Sequence, residues 1–120
     1  DLAAMAGVFL GGAVYGLPVV IDGVICAAAA AAACAIDKRA GDFMLASHVS
    51  KEPAAVLLLE HLKLHPAVSA GLCLGEGTGA LTIFPLLDMA AAVYGQMCTF
   101  TEMEIGAYHP FDDGGKEKMQ

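Results

Sequence analysis

Glu76 is the residue most able to do chemistry in this sequence, because of what surrounds it. It lies in Gly71-Leu72-Cys73-Leu74-Gly75-Glu76-Gly77-Thr78-Gly79-Ala80, with glycine at every second position from Gly75 to Gly79. Such a run lets backbone approach a ligand closely and turn its N–H groups toward it. Glu76 is the sole Asp, Glu, Lys or Arg between Lys63 and Asp88. A carboxylate placed there, directly before a long apolar helical pattern, is either a first-turn acid that complements the helix dipole or a general base.

Two further polar clusters stand in equivalent places. Asp22-Gly23 follows Pro18-Val19-Val20-Ile21, and Ser47-His48-Val49-Ser50 follows Phe43-Met44-Leu45-Ala46. Each cluster ends an apolar run and precedes a helix, as Gly75-Glu76-Gly77 does. Asp22, Gly23, Ser47, His48, Ser50, Gly75 and Gly77 are therefore candidate binding residues. Each turn also has a purely structural reading: Asp22 as cap of the helix that follows it, and Ser50 as cap of the next one, with Pro53 in its first turn. His61 and His65 are four apart but have no third ligand in sequence, so they read as a surface pair and no metal is expected. P-loop, GxSxG and HExxH motifs are absent, and GEGTG lacks the spacing of a dinucleotide fingerprint. No cofactor is expected.

The elements that must hold these turns are punctuated regularly. Leu2–Tyr15 reads as a helix with Leu2, Met5, Phe9 and Gly12 on one face. Gly16 ends it, and Pro18–Ile21 is an extended run. Val24–Ile36 is almost pure alanine, the best helix former, and being apolar all round it should be covered on most sides. Asp37–Gly41 reads as a polar turn, Asp42–Ala46 as a buried strand, and Pro53 to about Lys63 as a helix. Leu64–Ala70 is irregular and Leu72–Leu74 reads as a third, very short strand. A last helix runs from Gly77 or Thr78 to about Cys98. This alternation predicts an α/β fold: a short parallel sheet with crossover helices, Rossmann-like, in a partial domain. In such sheets ligands sit at the carboxyl ends of the strands, where all three polar clusters fall.

Composition sets the limits. The chain has 120 residues, a net charge of −7, 58% hydrophobic residues and 14 glycines. The acidic balance repels nucleic acid. Small side chains bury little area each, so an alanine-rich core is thin at about 25 cal/mol per Å². Much of the apolar surface should face a second chain, a missing part of the same protein, or lipid. Leu2–Val20 is uncharged and long enough to span a bilayer, but its glycines, Pro18 and the adjoining Asp22 argue against a membrane. The N-terminus lacks a basic segment, which argues against a signal peptide. Cys26, Cys34, Cys73 and Cys98 form no CxxC pair and read as reduced and buried, which favours the cytoplasm.

Taken together, PVVIDG, an alanine helix, LASHVSKEP and LGEGTGA resemble the C-terminal part of the nicotinate-nucleotide–dimethylbenzimidazole phosphoribosyltransferases over residues 1–103. The resemblance implies transfer of phosphoribosyl from nicotinate mononucleotide to dimethylbenzimidazole, in cobalamin lower-ligand synthesis. It implies Glu76 as general base, Leu74 in the base pocket, and Ser50 with the backbone near Gly23 on the ribose phosphate. The family's enzymes are much longer; the part they carry ahead of this segment supplies more of the base pocket, another acidic residue and a phosphate-binding lysine. The readings left open are a fragment, one chain of a split enzyme, an inactive relative, or a non-catalytic nucleotide- or base-binding module. A homodimer, or a complex with the missing N-terminal part, should bury Leu2–Tyr15. Residues 104–120 read as a frayed tail.

Overall fold

Alanine and glycine set the geometry, because helices with small faces come close to their neighbours. A computed structural model of the chain describes residues 1–73 and 75–106. These fall in two units, Asp1–Asp88 and Met89–Gln120. The first unit opens with α1 (Leu2–Tyr15), β1 (Val19–Ile21) and α2 (Val24–Ile36). A 3-10 helix at Lys38–Phe43 leads into β2 (Met44–Ala46), and α3 (Pro53–Leu62) follows. The start of α4 (Thr78–Gln96) completes the unit.

The strands β1 and β2 pair in parallel, Val19 with Met44, Val20 with Leu45 and Ile21 with Ala46. The crossover between them is α2, which packs against α1 and α3. The expected parallel sheet with crossover helices is therefore present. Two boundaries differ from the sequence reading. Asp42 and Phe43 belong to the 3-10 helix, not to the strand. Asp37 caps that helix: its Oδ1 accepts from the Arg39 amide at 3.0 Å, and the Arg39 guanidinium closes on the same carboxylate at 2.7 Å. The hydrogen bonds from Arg39 hold the Asp37 carboxyl below its usual range. The segment read as a polar turn is thus an ordered turn of helix that delays β2 by two residues.

The third extended segment also lies earlier than expected. Leu72 and Cys73 are irregular, and Leu74 lies outside the described residues. Instead Ala67 and Val68 donate to the carbonyls of Ala46 and Ser47 at 3.2 and 3.0 Å, and His48 pairs with Val68 in parallel. Farther along, the Lys51 amide donates to the Leu72 carbonyl at 3.3 Å. Pro66 removes one ladder donor, and the chain leaves the sheet soon after Val68.

The core comprises Ala6, Phe9, Ile21, Ala27, Ala29, Ala30, Ala33, Ala40 and Met44. It is as thin as the composition demands, and Phe9 is its one aromatic. Large apolar side chains lie outside it: Val14, Leu17, Ile25 and Ile36 are 77, 60, 63 and 72 % exposed. The alanine helix is covered on its inner faces but leaves Ile25 and Ile36 open, so the expectation of cover on most sides is met only in part. On α1, Phe9 and Gly12 are buried and Leu2 is exposed.

The uncharged run Leu2–Val20 is not one helix. Gly16 takes the left-handed conformation (φ 66°), Leu17 N–H donates to Gly12 O at 2.8 Å, and Val19 enters the sheet. Among the described residues α4 has the length and hydropathy of a membrane span. It carries Pro85 and Asp88 near its middle, and an unpaired carboxylate at that depth is costly in lipid. In the second unit, Thr99 and Glu102 bond reciprocally. The Thr99 amide donates to Glu102 Oε2 at 2.7 Å and the Glu102 amide donates to Thr99 Oγ1 at 3.2 Å. These bonds hold the Glu102 carboxyl below its usual range. Of the tail read as frayed, residues 107–120 lie outside the described residues.

Two glycines of α1 should respond oppositely to alanine. A Cβ at Gly12 would come within 2.5 Å of Val19 Cγ2 and 2.8 Å of the Leu17 carbonyl, while one at Gly7 meets nothing within 4 Å. Gly12→Ala should destabilise by about 1–3 kcal/mol through overpacking. Gly7→Ala should stabilise by about 0.5–1 kcal/mol through helix propensity. Thermal unfolding of the two variants checks the pair; a Gly12→Ala melting point at or above wild type would refute the close approach of α1 to β1.

Candidate active site

The carboxyl ends of β1 and β2 deliver Asp22-Gly23 and Ser47–Ser50 to one edge, and the turn before α4 brings Gly75–Gly77 to meet them. Together they wall a cavity of about 390 Å³. Of the candidates from sequence, Asp22, Gly23, His48, Ser50, Gly75, Glu76 and Gly77 line it. Ser47 does not; it is wholly buried beneath. Leu74 lies outside the described residues.

Glu76 sits in the left-handed region with φ 62°, and Gly77 follows with φ 83°. The first value is uncommon for a residue with a Cβ, so surrounding structure must hold it. Asp22 does. Its Oδ2 accepts from the Gly77 amide at 3.1 Å and its Oδ1 from the Ala80 amide at 2.8 Å. Both belong to the N-terminal end of α4, where amides have no helical partner. Asp22 therefore caps α4 across the sheet edge rather than the helix next to it. The expectation that it caps the alanine helix is incorrect. At α2 the N-cap is Gly23, which has no side chain to fill the first-turn amides. Ser50 is likewise not a cap: Glu52 holds that position on α3, with no side-chain hydrogen bond. Ser50 is left free to face the cavity.

Beneath the cavity Ser47 binds the sheet to the ring of His48. Its Oγ donates to the Ile21 carbonyl at 2.6 Å, with the Asp22 carbonyl at 3.2 Å and His48 Nδ1 at 3.0 Å. His48 is 5 % exposed. A Cβ at Gly79 would overlap His48 Nδ1 and Cε1 and reach 3.0 Å from Asp22 Oδ1. The last glycine of GEGTG is thus required by the imidazole packed on it.

Sequence reasoning missed Glu52 and Cys73, which also line the cavity. Glu52 stood in the SKEP segment beside Ser50 and was the available signal. Three carboxylates, Asp22, Glu52 and Glu76, face the space, and among the described residues no Lys or Arg lines it. The cysteines depart from expectation. All four are free, but Cys73 and Cys98 are exposed and Cys26 and Cys34 half-buried. Burial, then the nearby Asp42, push the Cys34 thiol up. His61 and His65 are both exposed, as a surface pair would be.

A family model described as phosphoribosyltransferase matches residues 1–105. The chain belongs to this phosphoribosyltransferase family. It is 46% identical over 105 residues to the nicotinate-nucleotide–dimethylbenzimidazole phosphoribosyltransferase of Yersinia enterocolitica, covering 88% of this chain and 30% of that protein. It is 44% identical over 110 residues to the enzyme of that name from Clostridium acetobutylicum, covering 92% and 31%. A crystal structure of CobT from Thermus thermophilus superposes with a TM-score of 0.81 at 40% identity, over 88% of this chain and 32% of that one. The chain therefore spans about 30% of the length of the curated relatives it matches.

Two substitutions test the way this phosphoribosyltransferase segment is held. Asp22→Ala should cost about 0.5–2 kcal/mol, as loss of a helix cap does, and should speed hydrogen exchange at the Gly77 and Ala80 amides above their neighbours. Exchange unchanged at both amides would show that the carboxylate does not hold them. Gly79→Ala should lower stability by about 1–3 kcal/mol through overpacking on His48, with a matching fall in melting temperature.

Proposed function

We propose that this chain is part of an enzyme that transfers phosphoribosyl from nicotinate mononucleotide to dimethylbenzimidazole, giving alpha-ribazole phosphate and nicotinate for the lower ligand of cobalamin. The observation that carries the reading is Glu76, held at φ 62° on the wall of a 390 Å³ cavity, within a segment 46% identical to a relative of that name. Residues 1–103 form the C-terminal part of the phosphoribosyltransferase domain in this reading.

The reaction needs little more than position and one base. The lone-pair nitrogen of the benzimidazole attacks C1′ of the ribose from the face opposite the nicotinate. The new N–C1′ bond forms as the bond to the pyridinium nitrogen breaks, so the configuration inverts and the electron pair leaves on a neutral ring nitrogen. Positive charge builds on the benzimidazole, and its remaining N–H gives up a proton. Glu76 accepts that proton and stabilises the charge as it develops. The glycines Gly75 and Gly77 leave room for a flat ring beside the carboxylate.

The phosphate goes to the loops opposite. Ser50 and the open first-turn amides at Gly23 offer hydroxyl and N–H donors, and the α2 dipole favours an anion there. The start of α4 is not available, because Asp22 fills it. With no Lys or Arg among the described residues of the wall, further positive charge comes from the portion of the enzyme beyond this segment. That portion, or a second copy in a homodimer, also covers the open apolar side chains of α1 and α2, since soluble monomers rarely leave such surface bare. The reading includes a cytoplasmic, non-membrane enzyme. A second reading, a non-catalytic nucleotide- or base-binding module, uses the same cavity without Glu76 acting as a base. Nicotinate release in the presence of dimethylbenzimidazole separates the two.

Glu76→Gln keeps the shape and removes the base. In the complete enzyme it should lower turnover by ~10²–10⁴ while nucleotide binding persists; near-wild-type turnover at neutral pH would remove Glu76 from the chemistry. Ser50→Ala should raise the nucleotide KM more than it lowers kcat. An unchanged KM takes Ser50 out of the phosphate site. The isolated 120-residue chain should show no measurable turnover.

A further inference from the structure

The imidazole of His48 has one nitrogen committed and one unspent. Ser47 is wholly buried, so its single hydroxyl proton must be used within the protein. The shortest contact, 2.6 Å to the Ile21 carbonyl, takes it. Ser47 Oγ then meets His48 Nδ1 at 3.0 Å as an acceptor. Nδ1 must carry a hydrogen for that contact to be favourable, and in the neutral ring Nε2 is then a bare acceptor. No buried side-chain nitrogen or oxygen among the described residues lacks a partner. Nε2 has no protein partner among those residues, so it opens to the surface, and the surface His48 reaches is the cavity wall. Gly79 exists without a Cβ so that the ring can lie there.

An acceptor at this place selects among substrate groups. It repels a phosphate oxygen and a carboxylate, which are acceptors themselves. It fits only a donor. This step rests on the proposed reaction, whose substrates carry three donors of neutral type: the benzimidazole N–H, already matched to Glu76, and the two ribose hydroxyls. We propose that His48 is a sugar-reading residue. Ser47 locks the imidazole as its Nδ1–H tautomer, and Nε2 accepts a hydrogen bond from a ribose hydroxyl of the bound nucleotide. The contact lies between the phosphate loops at Gly23 and Ser50 and the base at Glu76, and it orients C1′ toward the incoming nitrogen. Ser47 acts only through His48 and is a positioning residue.

The test is a comparison of binding by the complete enzyme, using nicotinate mononucleotide and its 2′-deoxy and 3′-deoxy forms. His48→Asn retains a donor toward Ser47 and loses the reach of Nε2; His48→Gln retains an acceptor at that reach. The wild type should bind the ribonucleotide about 3–10-fold more tightly than the one deoxy form that lacks the contacted hydroxyl, the usual worth of a neutral hydrogen bond. His48→Asn should lose that selectivity and bind the same deoxy form as the wild type does. His48→Gln should recover part of it. A His48→Asn variant that weakens all three nucleotides equally would show a structural role only, and one that keeps wild-type selectivity would remove the contact. Either result overturns the proposal. A wild-type enzyme that selects the ribonucleotide but transfers nothing would sink the reaction and leave the His48 contact standing. A wild-type enzyme that binds no nucleotide would sink both.

Discussion

The site depends on one long-range contact, the Asp22 carboxylate on the start of α4. Two amides, Gly77 and Ala80, converge on its two oxygens at 3.1 and 2.8 Å. The bond pair ties the end of β1 to the turn that carries Glu76, across more than fifty residues of chain. Without it, a non-glycine residue would have little reason to stay at φ 62°. With it, the turn is fixed from outside and the glycines on either side of Glu76 absorb the rest of the bend. A neighbouring cap on α4 itself would satisfy the same amides but would leave Glu76 unconnected to the sheet edge.

Close approach is the second constraint, and the glycines record where it is greatest. Gly12 lets α1 reach Val19 and the Leu17 carbonyl, and Gly79 lets α4 reach His48 and Asp22. An alanine core brings the elements near enough for these contacts, but it buries little area. The molecule therefore exposes Val14, Leu17, Ile25 and Ile36. In the function proposed above, these open faces are covered by the rest of the enzyme or by a second copy.

The helices were legible because their causes are local. Alanine propensity, Pro53, Gly16 and the glycines before Thr78 each act on the residues beside them, and the four α-helices fall where those signals place them. Seven of the nine site candidates line one cavity: two turns follow the parallel strands at one sheet edge, and the Asp22 bonds hold the third against them. What sequence did not disclose is non-local or depends on cover. Asp22 next to α2 reads as the cap of α2, and only the folded sheet shows that α4 is its partner. Asp42 and Phe43 look like strand, but Asp37 and Arg39 draw them into a 3-10 turn. The third segment pairs at Val68 rather than Leu72, since a register is set by the neighbouring strand. Cys73 and Cys98 look buried by their apolar neighbours but are exposed.

The two helix starts at this edge differ in what fills them. An N-terminus can hold one anion well, and the anion is either part of the protein or part of the substrate. At α4 the anion is Asp22, so the helix is locked and Glu76 is positioned. At α2 the cap is Gly23, with no side chain, so the amides stay available. Had Asp22 capped α2, as its place in sequence suggests, the α2 amides would be filled and Glu76 would lose its anchor together. Placing the carboxylate one residue ahead of Gly23 lets it miss the near helix and reach the far one. In the function proposed above, that single offset makes the end of β1 both a latch for the proposed base and an opening for the nucleotide.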